Sequence, residues 1–178
     1  MPISFEEADY IFKAEKRLLS PIRWKSSPKN NAPTEQRRVL ERRIEIPGGA
    51  RRGTFFRITV YAGSLDRVTF QLDCDRDAGR TRDVLYRLDL NPARPHTNKP
   101  YGTDEVNGLF IDAGITHEHT FYDSCRQDGS LRMRSDEQAR VVTEALPDYF
   151  AALRYACARI NVINADDIPN PGDQGQLL

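Results

Sequence analysis

The amino-acid sequence predicts an α+β fold, in which an antiparallel β-meander sheet is flanked by an N-terminal helix and by one or two C-terminal helices. Apolar residues recur at helical spacing near both ends of the chain, and four segments between them alternate apolar and polar residues. Turns rich in glycine and proline separate these segments, so a meander is the simplest topology. The length fits one domain, which we expect to span residues 1–168, with a flexible tail at residues 169–178.

The first helix is predicted to begin after Ser4, which forms a capping box with Glu7. Apolar residues continue at helical spacing as far as Leu19, and a proline then ends the pattern. Residues 21–33 are rich in Pro, Asn, Ser and Lys, a composition typical of an exposed connector. We expect Trp24 to anchor this connector.

Four strands are expected in the middle of the chain, at residues 39–46, 54–62, 67–74 and 84–90. In the two central strands the side chains alternate between two faces. The face expected to contact the core carries Phe56, Ile58, Val60, Val68, Phe70 and Leu72. The face expected to contact solvent or a partner carries Arg57, Thr59, Arg67, Thr69 and Gln71.

The second half of the chain is predicted to continue with a long loop at residues 91–108 and strand material at residues 110–111 and 115–122. A capping box formed by Ser135 and Gln138 predicts a short helix that ends near residue 145. A last helix is expected to have Pro147 in its first turn. Its buried face should contain Phe150, Leu153, Cys157 and Ile160.

The charges of the chain balance, with 26 Lys plus Arg against 26 Asp plus Glu. This balance excludes a strong whole-molecule field that would attract nucleic acid or an anionic membrane. The distribution is uneven, because residues 1–53 contain 12 basic and 7 acidic side chains, whereas residues 54–178 contain 14 and 19. Any anionic partner is therefore expected at the N-terminal third.

The chain contains no apolar run of the roughly 20 residues that a membrane span requires, and its first residues lack the pattern of a signal peptide. We therefore expect a cytoplasmic protein without a membrane partner. Cys74, Cys125 and Cys157 are odd in number and widely spaced, which favours buried thiols over a disulfide or a zinc knuckle. The motifs of phosphate-loop NTPases, α/β-hydrolases and thermolysin-like proteases are missing from the sequence.

The three histidines of the chain are the candidates for chemistry, because His96, His117 and His119 lie within 24 residues of one another. His117 and His119 are two residues apart on a predicted strand and should point to the same face. Arg87 and Asp89 likewise share one face of their strand. We take these five residues as the candidate catalytic site.

Three interpretations of the histidines remain open from the sequence. His117 and His119, with His96 or Asp89, would suit zinc or another transition metal. Alternatively, the histidines act as general acid and base, with Arg87 or Arg94 stabilising a phosphorane as in a metal-free ribonuclease. In the third interpretation the two strand histidines are a hydrogen-bonded structural pair in the core. The sequence identifies no cofactor.

A second candidate surface is the arginine-rich first strand and its turn. Paired arginines, together with an aromatic residue, are typical of a surface that contacts phosphates. Charged side chains on an edge strand also prevent aggregation, which is the structural alternative. The candidate residues for binding nucleic acid or a protein partner are Trp24, Arg37, Arg38, Arg42, Arg43, Arg51 and Arg52.

The order of YRLDLN at residues 86–91, Pro-His at residues 95–96 and HEH at residues 117–119 resembles the TumE-type toxins of toxin–antitoxin pairs and a related phage-borne domain family. The resemblance covers roughly residues 84–122. It implies a protein of a mobile genetic element that acts on RNA. The matching polar positions are Arg87, Asp89, His96, His117 and His119. This chain departs from the toxin pattern by a long basic N-terminal extension and a longer insertion before HEH.

Two functions of different classes follow from these features. The first is an enzyme that processes RNA or another phosphodiester at the histidine cluster. The second is a non-catalytic inhibitor of a host defence system, of the anti-CRISPR type, that binds a nucleoprotein or protein partner through the arginine-rich strand or the loop at residues 91–108. A metal-stabilised structural module is a further alternative.

Overall fold

The computed structural model describes residues 3–29, 32–49, 53–61, 64–76, 81–100, 103–124 and 138–172, and only the backbone of residues 27–29 and 32–36. It confirms the predicted α+β fold. The helices are α1 (Phe5–Lys13), α2 (Tyr149–Arg159) and a 3₁₀ helix (Ala165–Asp167). The strands are β1 (Arg17–Leu18), β2 (Lys25–Lys29), β3 (Ala32–Glu45), β4 (Thr54–Tyr61), β5 (Val68–Asp75), β6 (Arg82–Leu90), β7 (His96–Thr97), β8 (Phe110–Ile111), β9 (His117–Thr120) and β10 (Arg140–Val141).

Eight of these strands form one antiparallel sheet with the order β1-β3-β4-β5-β6-β9-β10, and β2 also pairs with β3. Strands β3 to β6 are consecutive in sequence and adjacent in space, which confirms the predicted meander. Strand β9 pairs with β6, so the histidine strand lies beside the strand that carries Arg87 and Asp89. Strands β7 and β8 pair separately as a short ribbon.

The two α-helices pack on one face of the sheet and form the core with it. Phe12 of α1 contacts Tyr86 edge-on, with ring centroids 6.1 Å apart. Tyr149 of α2 lies against Phe70, with ring centroids 5.9 Å apart. The predicted core positions of β4 and β5 are confirmed, since Phe56, Ile58, Val60, Val68, Phe70 and Leu72 are all buried.

The opposite face of the sheet, called here the open face, is polar. An ion-pair network links three strands, because Arg57 contacts Glu41 at 2.8 Å and Asp73 at 3.4 Å. Thr59 and Thr69 were expected to face solvent or a partner but are buried. For Thr69 the reason is local, since its hydroxyl donates a hydrogen bond to the buried Asp89 carboxylate.

The first helix is shorter than predicted. Ser4 caps it as expected, but the chain leaves the helical conformation at Ala14. The apolar residue Leu18, which continues the helical pattern in sequence, is buried as a strand residue opposite Ile44. A helix as far as Leu19 was therefore wrong, because the sheet supplied another way to bury these apolar residues.

The predicted connector at residues 21–33 contains strand β2, so this expectation was wrong in part. Strand β3 begins seven residues before the predicted start at residue 39, and its extension provides the hydrogen-bonding partner for β2. Pro28 is tolerated because β2 lies at an edge. Trp24 does anchor this segment, since its buried Nε1–H donates to the Pro169 carbonyl at 2.7 Å.

The helix predicted for residues 135–145 was wrong over its described part. Residues 125–137, which include Cys125 and Ser135, lie outside the described residues, and strand β10 occupies Arg140–Val141. An extended backbone is favoured here because Asn98 holds Ala139 by two hydrogen bonds. A local capping-box pattern gives no information about such a hydrogen bond from a residue distant in sequence.

The last helix begins at Tyr149, two residues beyond Pro147, so Pro147 precedes the helix instead of lying in its first turn. Asp148 is the N-cap, and its side chain accepts a hydrogen bond from the backbone of Ala151. Tyr149 therefore occupies the buried position, and Phe150, predicted to be buried, is 42% exposed. Leu153, Cys157 and Ile160 are buried as predicted, and Cys74 is likewise a buried thiol.

The beginning of the predicted tail packs on the domain. The Pro169 carbonyl accepts the hydrogen bond from Trp24, and the Arg38 guanidinium donates to the carbonyl of Pro171. Residues 173–178 lie outside the described residues. Neither described α-helix is long and apolar enough to cross a membrane.

Candidate functional site

The candidate site lies on the open face, where β6 and β9 run side by side. Cross-strand pairing places Asp89 opposite His117 and Arg87 opposite His119. Because residues two apart on a strand share a face, these four side chains form a square on the sheet. The β7–β8 ribbon adds His96, whose ring centroid lies 5.5 Å from that of His117 and 5.0 Å from that of His119.

The two strand histidines are held by main-chain carbonyls. The Nδ1–H of His117 donates to the Ile115 carbonyl at 2.9 Å, and the Nδ1–H of His119 donates to the Gln138 carbonyl at 2.8 Å. A carbonyl can only accept, so Nδ1 of each ring carries a proton, and Nε2 is the nitrogen that faces the cavity. Both Nε2 atoms point to the same atom, Oδ2 of Asp89, at 3.7 and 3.5 Å.

Asp89 is a buried carboxylate with strong partners. Its Oδ1 accepts hydrogen bonds from the Thr69 hydroxyl at 2.7 Å and from Nε of Arg87 at 3.0 Å, and Arg87 also contacts Oδ2 at 2.8 Å. Burial raises the pKa of Asp89, but the interactions with His119, Arg87 and Thr69 together outweigh burial. The net effect holds its pKa well below the usual range, so this carboxyl remains ionised.

The imidazoles of His96 and His117 are neutral at physiological pH. Burial and the neighbouring His119 and His117 together lower the pKa of His96 to about 4. Burial also lowers the pKa of His117. The Nε2 atom of His96 is buried and has no hydrogen-bond partner among the described residues.

A cavity of about 340 Å³ opens beside the histidines. Arg67, Arg87 and Arg94 contribute three cationic groups to its walls, against the single carboxylate of Asp89. The guanidinium of Arg67 stacks on the ring of Tyr61, 4.9 Å from its centroid. The complete lining is Tyr61, Arg67, Val68, Thr69, Arg87, Asp89, Leu90, Pro92, Ala93, Arg94, Pro95, His96, His117 and His119.

Helix α2 fixes strand β9 on the face of the sheet opposite the histidines. Glu118, between the two histidines in sequence, points to the helix face and is buried. Arg159 of α2 binds its carboxylate with two hydrogen bonds, at 2.7 and 3.1 Å, and the Tyr155 hydroxyl donates a third at 3.2 Å. Helix α2 thereby fixes the strand whose opposite face carries the histidines.

The structure therefore brings together all five candidate catalytic residues, Arg87, Asp89, His96, His117 and His119. Sequence reasoning missed the roles of Tyr61, Arg67 and Thr69 as walls of the same cavity. Strand alternation did assign Arg67 and Thr69 to the face opposite the core. The cross-strand register that places them beside Asp89 was not readable from the sequence.

The arginine-rich candidate surface is divided between two faces. Arg37 and Arg43 lie on the open face, whereas Arg38 and Arg42 alternate with the buried Leu40 on the helix side. Trp24 is buried and its indole N–H is already bonded, so it is a packing residue and not an exposed stacking platform. Arg51 and Arg52 lie outside the described residues.

Comparison of the chain with protein-family models, with curated proteins and with solved structures finds no match. The chemistry of the cavity therefore has to be inferred from its own side chains. Three imidazoles, one permanently ionised carboxylate and three guanidinium groups can bind an anion and activate a nucleophile next to it.

Proposed function

We propose that the protein is an enzyme that processes phosphodiesters in RNA, with the histidine-lined cavity as its reactive centre. The observation that carries this proposal is the presence of three arginines in the same cavity as the three imidazoles. Arginine is the residue best suited to phosphate, because its planar guanidinium donates two parallel hydrogen bonds.

The charge of the cavity favours an anionic substrate. Arg87 is paired with Asp89, so these two charges largely cancel. Arg67 and Arg94 also line the cavity, and Arg94 is exposed at the rim. A phosphodiester bound between them lies next to the histidine cluster, where the attacking oxygen is activated.

The size of the cavity favours a single strand. At about 340 Å³ it lies near the lower end of the range for small-molecule sites, which is roughly 300–1,000 Å³. It accommodates one phosphodiester group with an adjoining nucleoside, and a duplex is too large. The stacked pair of Tyr61 and Arg67 offers a flat surface for a base.

The choice of RNA rests on the resemblance to TumE-type toxins at the YRLDLN, Pro-His and HEH segments. A cytoplasmic protein of a mobile genetic element, active on the RNA of its host, is part of this proposal. The five residues that match the resemblance all line the cavity. The resemblance itself rests on the sequence alone, without knowledge of which segments lie close together.

The test is cleavage of a fluorescently labelled single-stranded oligoribonucleotide, with a DNA oligonucleotide of the same sequence in parallel. We expect His119→Ala to lower the rate by about 10²–10⁴-fold, the usual contribution of a group that transfers a proton in catalysis or activates the nucleophile. Arg94→Ala should lower kcat/KM by at least about tenfold. Arg154→Ala is the matched control, because Arg154 is exposed on α2 at the opposite face of the sheet.

Absence of cleavage by the wild-type protein, with and without added divalent metal, would remove the enzymatic proposal. Binding of RNA or of a nucleoprotein without cleavage would instead favour the non-catalytic inhibitor. The observation on which that alternative rests is the pair Arg37 and Arg43 on the open face. Equal rates for wild type and His119→Ala would place any activity outside this cavity.

A further inference from the structure

We propose that the protein binds one divalent transition-metal ion of the zinc type, with His96, His117 and His119 as ligands and Asp89 as the fourth group. The inference is independent of the substrate proposed above. It rests on how the four side chains are aimed at a common point.

The first argument is convergence. One ring nitrogen from each histidine lies within 4.8 Å of those of the other two. In a tetrahedral site with zinc–nitrogen bonds of about 2.1 Å, neighbouring ligand atoms are about 3.4 Å apart. The distances from Oδ2 of Asp89 to Nε2 of His119 and His117, 3.5 and 3.7 Å, are close to this value.

The second argument is the orientation of the rings. His117 and His119 each donate Nδ1–H to a backbone carbonyl, which leaves Nε2 as the only free nitrogen. Histidines that bind metals are held in this way, because a hydrogen bond on one nitrogen fixes the tautomer and directs the other nitrogen to the metal.

The third argument is an unsatisfied buried acceptor beside the other two rings. The inward atoms of the strand residues are the Nε2 atoms of His117 and His119 and Oδ2 of Asp89, which also contacts Arg87 at 2.8 Å. The Nε2 of His96 is buried and has no partner among the residues that the structure describes. A buried acceptor without a partner is unfavourable, and a metal ion bound at this point would satisfy it.

A proton satisfies this arrangement less well than a metal does. The separations of 3.5 and 3.7 Å exceed the normal length of a hydrogen bond between a ring N–H and a carboxylate, which is about 2.7–2.9 Å. A single proton would also serve only one of the three rings. The same separations suit two ligands that share one metal ion.

The ligand set selects the type of metal. Neutral imidazole nitrogens suit zinc and its neighbours in the first transition row, whereas magnesium and calcium prefer oxygen ligands. Arg87 contacts the same carboxylate, and its positive charge opposes a second cation. The three imidazoles are therefore the principal ligands, and Asp89 neutralises part of the metal's charge while remaining bonded to Arg87.

The test is metal content and titration calorimetry of the full chain with ZnCl₂ after removal of metals by a chelator. Visible absorption of the Co²⁺-loaded protein reports the coordination number. We expect one zinc per chain, at least 100-fold weaker binding in His96→Ala, and 10- to 100-fold weaker binding in Asp89→Asn. His96→Ala is the preferred ligand variant, because its two-residue strand lies outside the main sheet.

Arg154→Ala is the control, because Arg154 is exposed on α2 at the opposite face of the sheet, and it should bind zinc as the wild type does. The inference is overturned if the metal-free wild type binds neither Zn²⁺ nor Co²⁺ with defined stoichiometry, or if His96→Ala binds zinc with unchanged affinity. Should His96→Ala fail to fold, zinc titration of the wild-type histidine Nε2 resonances by NMR decides, since unmoved resonances also overturn it.

The two proposals fail in different ways. Stoichiometric zinc without RNA cleavage leaves the metal site and removes the proposed function. RNA cleavage by a protein that binds neither Zn²⁺ nor Co²⁺ leaves the function and removes the metal site.

Discussion

The ammonium group of Lys16 lies between the ends of both α-helices and is inaccessible to solvent. Its Nζ donates to the carbonyls of Phe12 and Ala14 at the end of α1, at 2.8 and 2.6 Å, and to that of Ile160 at the end of α2, at 2.7 Å. Carbonyls at helix ends lack intrahelical partners and carry partial negative charge, so this lysine caps two helices at once.

Lys16 should make stability depend on pH. Burial lowers its pKa from 10.5 to about 7. Between these values the unfolded chain holds a proton that the folded protein has released, so the free energy of unfolding rises with pH across this window. Below pH 7 both states are protonated and Lys16 contributes no pH dependence.

We expect the wild type to gain about 2 kcal/mol over Lys16→Met between pH 7.5 and 9, since one proton corresponds to roughly 1.4 kcal/mol per pH unit. Urea denaturation at pH 6, 7.5 and 9 measures this difference. Lys13→Met, at an exposed position at the end of α1, controls for loss of a lysine. A constant difference at all three pH values would mean that the three carbonyls keep Lys16 protonated throughout.

At the scale of the element, the histidine strand is short and depends on a helix. Strand β9 has four residues, and its neighbour on one side, β10, has only two. The ion pair between the buried Glu118 and the partly exposed Arg159 fastens it to α2. Removal of one partner of a buried pair is destabilising, because it leaves the other charge buried without compensation.

Arg159→Met should lower the free energy of unfolding by about 1–3 kcal/mol, less than for a fully buried pair because Arg159 is partly exposed. Chemical denaturation measures the loss, and Arg154→Met on the same helix is the control. The double variant with Glu118→Gln should recover part of the stability, since no unpaired charge remains. Additive losses in the double variant would argue against a direct interaction.

The elements show which parts of the structure the sequence could predict. The alternation of apolar and polar residues predicted the ends of β4, β5 and β6 to within two residues, because each strand buries one face against the helices. Local patterns failed where a distant group decided the backbone, as at Ala139, which Asn98 holds in an extended conformation. The candidate site was found from the types and spacing of its residues, but the meeting of His96 with the strand histidines depends on the β7–β8 ribbon.

At the scale of the whole molecule, the net charge is zero, but basic side chains are unevenly distributed along the open face. Arg37 pairs across the sheet with Tyr61, which lines the cavity, whereas Arg43 pairs with Phe55 at the other end of the same strand. The two arginines are six positions apart on the strand, a distance of about 20 Å at 3.3 Å per residue. The basic residues Arg37, Arg67 and Arg94 therefore lie at one end of the sheet, around the cavity.

A strand of RNA that enters the cavity should pass Arg37 and not Arg43. We expect Arg37→Glu to weaken binding of a fluorescent oligoribonucleotide and to reduce the slope of log K against log salt concentration by about 1, the effect of losing one phosphate contact. Arg43→Glu carries the same charge change on the same face of the same strand and should leave both quantities nearly unchanged. Fluorescence anisotropy over a series of salt concentrations measures both. Equal effects of the two variants would mean that RNA binds along the whole open face and not preferentially at the cavity end. A larger effect of Arg43→Glu would place the bound RNA at the end of the sheet remote from the histidines.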